Sequence, residues 1–154
     1  MRLFISHSLA PTDLQVAVLL SRQAHAKGIV VETSQHQAPV TESTQVIQHA
    51  IFYSDFVIAI VSLDSAYASS VQLELGAAAS LAKPSLALIE KGVSSFRAIP
   101  GVQYVEFTRA DLSPALAHIS AILEGRKNQE NIAKWAIGGG LALLALYLIS
   151  KVET

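Results

Sequence analysis

Glu74 is the side chain best placed to do chemistry in this sequence. On a helix, Val71, Ala77 and Ala78 share its face by three- and four-residue spacing, so a carboxylate stands inside an apolar stripe. Burying an ionised carboxylate without partners is costly, and such a group is normally paired, protonated or functional. Gly76 and the run Ala77-Ala78-Ala79 remove bulk just after it, which predicts a helix lying close against a sheet. The competing structural reading is a glutamate favoured by the dipole near a helix N-terminus.

Two hydroxyl-rich clusters could serve the same site. Ser6-His7-Ser8 and Ser62-Leu63-Asp64-Ser65 each follow an apolar run, and their hydroxyls and loop amides could hold a ribose or a phosphate. Each could also simply cap the helix that follows. The stretch from Gln35 to Ser43 is polar, contains Pro39, and has the composition of a mobile loop able to cover a site. His7 is a possible acid or base. His25, His36, His49 and His118 lack metal-ligand spacing, so no metal site is expected.

Elements of a definite kind must position these groups. Short β-rich runs at Arg2 to Ile5, Gly28 to Thr33, Asp55 to Ser62, Leu86 to Ile89 and Tyr104 to Phe107 predict five strands. Helical patterns lie between or after them at Asp13 to Lys27, Ser43 to Phe52, Ser70 to Ala82 and Asp111 to Glu124. Gly28, Pro84 and Gly125 stand as stop signals, and Pro114 marks a first turn. Alternation of this kind requires crossovers and gives an α/β fold: a five-stranded, parallel, doubly wound sheet of the flavodoxin-like type. The unbroken apolar run from Phe56 to Val61 suits its middle. Ligands in such sheets sit at the carboxyl ends of the strands. That rule gathers residues 6–12, 34–43 and 62–74 into one candidate site.

Composition narrows the field of functions. The 154 residues allow one ordinary domain with a short appendage, and 11 basic against 12 acidic side chains leave no electrostatic footprint for nucleic acid. The absence of cysteine excludes disulfides and thiolate catalysis. The N-terminal apolar run is too short for a secretory leader.

Phe4-Ile5-Ser6-His7-Ser8 with Asp13, then Ser54 to Ser62, then Ser69-Ser70 leading into Glu74-Leu75-Gly76-Ala77-Ala78, resembles the bacterial branch of the Toll/interleukin-1 receptor (TIR) domains. The segment around Glu74 also looks like nucleoside deoxyribosyltransferases and related nucleotide-binding folds. The TIR resemblance implies cleavage of the nicotinamide–ribose bond of NAD, as substrate rather than cofactor, with Glu74 at the family's catalytic position. It implies that Ser6, His7 and Ser8 line the nicotinamide–ribose end and that the Gln35 to Ser43 loop gates it. Ser62 and Ser70 complete the binding set, and Tyr67 either adds an aromatic surface or packs on the sheet. A carboxylate in this place stabilises an oxocarbenium-like ribose, and cationic nicotinamide leaves without a general acid. Ser70-Val71-Gln72 stand where many family members carry Trp and Cys, which keeps open a non-enzymatic module that recruits a partner TIR or effector protein.

The C-terminal end reads as a hydrophobic helix. Trp135 to Ser150 is a run of 16 uncharged residues between Lys134 and Lys151. At 1.5 Å per residue it spans roughly 24 Å, against the ~30 Å hydrocarbon core of a bilayer. Snorkelling lysines and the preceding Ile132-Ala133 could close the gap. This predicts a TIR-like domain over 1–126, a linker over 127–131 and a single-pass transmembrane helix over 132–151. Trp135 and Tyr147 would sit at the lipid interfaces, and the excess of Arg126, Lys127 and Lys134 over Lys151 places the domain on the cytoplasmic side. Ala136/Gly140 and Gly138/Ala142 are small-residue pairs suited to self-association in lipid. A tail helix buried between subunits of an oligomer is the alternative. The combined expectation is a membrane-anchored, self-assembling NAD glycohydrolase or cyclase, with a role in antiviral defence implied by the resemblance alone. A scaffold module or a nucleoside deoxyribosyltransferase-like protein stands beside it.

Overall fold

A computed structural model of the chain describes residues 1–34, 40–65 and 69–135. The elements run β1 (Arg2–Ser6), α1 (Pro11–Ala26), β2 (Val30–Thr33), α2 (Val40–Tyr53), β3 (Phe56–Val61), α3 (Ser69–Ser80), β4 (Ser85–Glu90), β5 (Val102–Phe107) and α4 (Ser113–Trp135). The strands form one parallel sheet in the order β2-β1-β3-β4-β5. This is the flavodoxin-like order expected from the alternation of elements.

Topology assigns the helices to faces. α1 carries the chain outward from β1 to β2, whereas α2 and α3 carry it the opposite way, from β2 to β3 and from β3 to β4. Right-handed crossovers therefore put α1 on one face and α2 with α3 on the other. Strand periodicity supplies the packing. Phe4 and Val57 turn to Ala50 and Ile51 of α2 and Ala78 of α3, while Ala59, Val61 and Ala87 turn to Val71 and Leu75 of α3. Every residue of β3 is buried, as a central strand covered on both faces requires.

Local chemistry ends the helices. Gly28 adopts φ 67° after α1, its amide donates to the His25 carbonyl, and the Ile29 amide donates to that of Ala24, a Schellman closure. α3 closes in the same way, with the Lys83 amide on the Ala78 carbonyl, but Ala82 occupies the left-handed position at φ 52°. Gly76 serves no close approach: a Cβ added there would meet nothing within 4 Å, contrary to the sequence expectation.

The chain divides into two compact units, Met1–Ser120 and Ala121–Thr154. The first holds the whole sheet, α1 to α3 and the start of α4. In the second, α4 passes through Gly125, where a stop was expected, and residues 127–131, expected as a linker, are helical. The membrane anchor is corrected. Among the described residues no helix is long and apolar enough to cross a membrane. α4, which takes in Ile132 to Trp135 of the expected span, also carries Glu124, Arg126, Lys127, Glu130 and Lys134, charges that a bilayer would have to desolvate. The single-pass, cytoplasm-facing assignment falls with it. Residues 136–151, with the small-residue pairs, lie outside the described residues.

Candidate functional site

Sheet register builds the site. Ile5 of β1 pairs with Thr33 of β2, and the Ser34 amide donates to the Ile5 carbonyl, so Ser6 and Ser34 come side by side at the carboxyl edge. Ser6 also pairs with Ala59 of β3. It shares the face of Phe4, which is the face covered by α2 and α3. From α3, Glu74 reaches this point in its second turn.

The three side chains meet on one oxygen. The Ser6 hydroxyl donates to Glu74 Oε2 at 2.6 Å, and the Ser34 hydroxyl donates to the same atom at 2.7 Å. Glu74 is only 7% exposed and both serines are buried, so the carboxylate is a buried, specifically held group rather than a solvated helix glutamate. No described residue donates to Oε1. The place is the β1/β3 switch point, where crossovers diverge to opposite faces and parallel sheets bind ligands.

The other expected residues divide. His7 is buried beside the pair; its amide donates to Ser34 Oγ at 3.3 Å, and its Nδ1 lies 2.8 Å from the Ser8 carbonyl, an acceptor that fixes the proton on Nδ1. Ser8 turns away from Glu74: its hydroxyl and amide both donate to Asp13 Oδ2, at 2.7 and 3.3 Å. Ser62 is buried against Ser65, with the two hydroxyls 3.3 Å apart. Ser70 is partly buried at the start of α3. Tyr67 and the loop residues 35–39 lie outside the described residues, and residues 40–43 of the expected gate begin α2.

A second cluster escaped the sequence reading. Arg109, two residues past β5, donates to Glu90 at 2.6 and 3.1 Å and meets Asp64 at 2.9 Å. Glu90 Oε2 also accepts the Leu63 amide, and Asp64 accepts the Thr12 hydroxyl. Hydrogen bonding to Arg109 holds both carboxyls below their ordinary range; at Asp64 the Thr12 hydroxyl adds to this against a smaller opposing effect of burial, and at Glu90 burial opposes it and the Leu63 amide adds a lesser lowering. The same bonds push the guanidinium higher. The network ties the segments after β3 and β5 and the last residue of β4 to the start of α1. Its one sequence signal is an acid closing an otherwise apolar strand, Ser85 to Glu90.

No protein-family model matches the chain, and no curated protein matches it. Among solved structures it is similar to the Clostridium botulinum CMP N-glycosidase BcmB, with a TM-score of 0.57 and 16% identity, covering 77% of this chain and 98% of that one. A candidate quinone reductase from Klebsiella pneumoniae has a TM-score of 0.44 and 13% identity, covering 82% of this chain and 83% of that one. The TIR resemblance is therefore corrected: a solved structure similar over 98% of its own chain is that of an N-glycosidase. An apolar β3 and a helix rich in small residues are what any central strand and crossover helix of a parallel sheet need, so those motifs mark the architecture rather than the family. The antiviral role inferred from that resemblance goes with it.

Proposed function

We propose that this chain cleaves the N-glycosidic bond of a nucleoside or nucleotide, with Glu74 as the carboxylate at the anomeric carbon. The observation that carries this reading is the pair of buried hydroxyls on Glu74 Oε2 at the β1/β3 point. They fix the carboxylate while leaving Oε1 without a described donor and so available to C1′. A fold shared with an N-glycosidase supports the choice of reaction.

The chemistry follows from that placement. The C1′–N bond breaks with its electron pair departing on the base nitrogen, which takes up a proton. Positive charge develops on C1′ and the ring oxygen, and a preorganised carboxylate lowers the energy of that cation. Water then forms the new C1′–O bond and releases a proton. A hydroxyl acceptor in place of water would make the same site a transferase.

The test is chromatographic detection of free base from a panel of nucleosides, their 5′-monophosphates and NAD. Glu74→Gln keeps the shape and both serine partners but removes the charge, and it should lower turnover at least about a thousandfold. Unchanged turnover in a folded Glu74→Gln protein would reject the assignment.

A further inference from the structure

α3 is uncharged on the side that it turns away from the sheet. Its buried face is Val71, Glu74, Leu75 and Ala78, and Glu74 is its one charged residue. Leu73, Gly76, Ala77, Ser80 and, one residue past the helix, Leu81 recur at three- and four-residue spacing on the outer side. Leu73 is 72% exposed and Leu81 44%. A helix without charge on either face is ordinarily covered on both. Beside it, α2 adds Phe52, 55% exposed, with Tyr53 in edge contact at 5.1 Å, and from Thr44 to Tyr53 it carries no acid, lysine or arginine. A groove of about 300 Å³ between the two helices is lined by Ile51, Phe52, Ala77 and Leu81. Lys83 stands at the edge of this patch, over the Phe52 ring, with its ammonium on the Ser54 carbonyl.

Gly76 has no use within a single copy. A Cβ there would meet nothing within 4 Å, yet glycine weakens a helix interior. What it permits is close approach by another backbone from outside. The face is also alike on either side of Ala77, because Leu73 stands four residues before it and Leu81 four residues after. Two α3 helices crossing antiparallel at Ala77 would set Leu73 of each copy against Leu81 of the other, the self-matching that a two-fold contact needs. No carboxylate or guanidinium of the patch would meet its own copy there, and interface centres are depleted in such groups. Leu73, Leu81, Phe52 and Tyr53 together present apolar surface on the order of 500 Å². That is more than half of the ~800 Å² that each partner of a stable complex buries.

We infer that two copies of this chain pair through the outer face of α3 and the adjoining edge of α2, about a two-fold axis at Ala77. The inference is independent of the N-glycosidase reading.

The chain has no cysteine, so thiols can be placed singly in the full-length protein. A disulfide needs Cα atoms within roughly 7 Å, which only positions at the axis satisfy with their own copies. Under mild oxidation Ala77→Cys should give at least about ten times more disulfide-linked dimer than Val18→Cys, at an exposed position of α1 on the opposite face of the sheet. Leu73→Cys and Leu81→Cys should each link poorly alone and well when mixed, as the antiparallel pairing requires. In sedimentation the parent protein should be dimeric, and Leu73→Arg should weaken the dimer at least about tenfold. A parent protein that stays monomeric, its α3 face left to a different partner, would overturn the inference. So would a dimer in which Ala77→Cys links no better than Val18→Cys, since that association, through residues 136–154 or any other surface, is not at α3.

Discussion

Replacing Ser6 or Ser34 by alanine strips one of two hydroxyls from Glu74 Oε2 and leaves the carboxylate buried with half of its observed support. A hydrogen bond to a charged group contributes on the order of 1.5–3 kcal/mol. Each substitution should therefore lower kcat/KM by roughly ten- to hundredfold. The double variant should lose less than the product of the two, because both act on a single oxygen. Steady-state rates of base release check this; strict additivity would show that the serines do not work through Glu74. Glu74 and Ser6 were legible in the sequence as a carboxylate in an apolar stripe and a hydroxyl after a strand. Ser34 was legible only as the start of a polar segment. Glu90 and Arg109 were not, since each becomes informative only when β4 and β5 lie side by side.

The helix ends show which local signals decide an element. Gly28 and Ala82 do the same job after α1 and α3, but a left-handed conformation costs an L-residue roughly 1–2 kcal/mol that glycine avoids. Ala82→Gly should therefore stabilise the fold by about 1 kcal/mol without touching the site, read as a higher urea midpoint with unchanged kcat/KM. A midpoint that stays level or falls would mean that unfolded-state entropy outweighs the relief of strain. The same logic explains a miss. Gly125 was expected to stop α4, yet a stop needs a left-handed residue with amides turned back onto the last carbonyls, and α4 continues instead through Arg126 to Trp135.

At the scale of the molecule, the Arg109 network joins segments far apart in the chain: Thr12, Asp64, Glu90 and Arg109. Asp64 and Glu90 titrate below their ordinary values because Arg109 hydrogen-bonds both. A depressed carboxyl pKa adds stability above the unfolded value and loses it as pH falls through the folded one. The contribution should be complete above about pH 5 and fade toward about pH 3. Arg109→Met should flatten the pH dependence of the urea midpoint across that window relative to the parent protein. Parallel curves would mean that the network adds nothing to folding, as exposed ion pairs often do not.

Periodicity, capping and composition are local or summed properties, and through them the sequence by itself determined the number of strands and their succession along the chain, the parallel α/β class and the position of Glu74 on the third helix. Family likeness was not legible in the same way, because the motifs that suggested it are those any buried parallel strand and close-packed helix require. What the tertiary structure alone decided is the meeting of Ser6, Ser34 and Glu74 on one oxygen and of Arg109 with two acids. These depend on strand order and register, which arise from right-handed crossovers and the burial of both sheet faces, and residues 68 positions apart become partners only when that sheet forms.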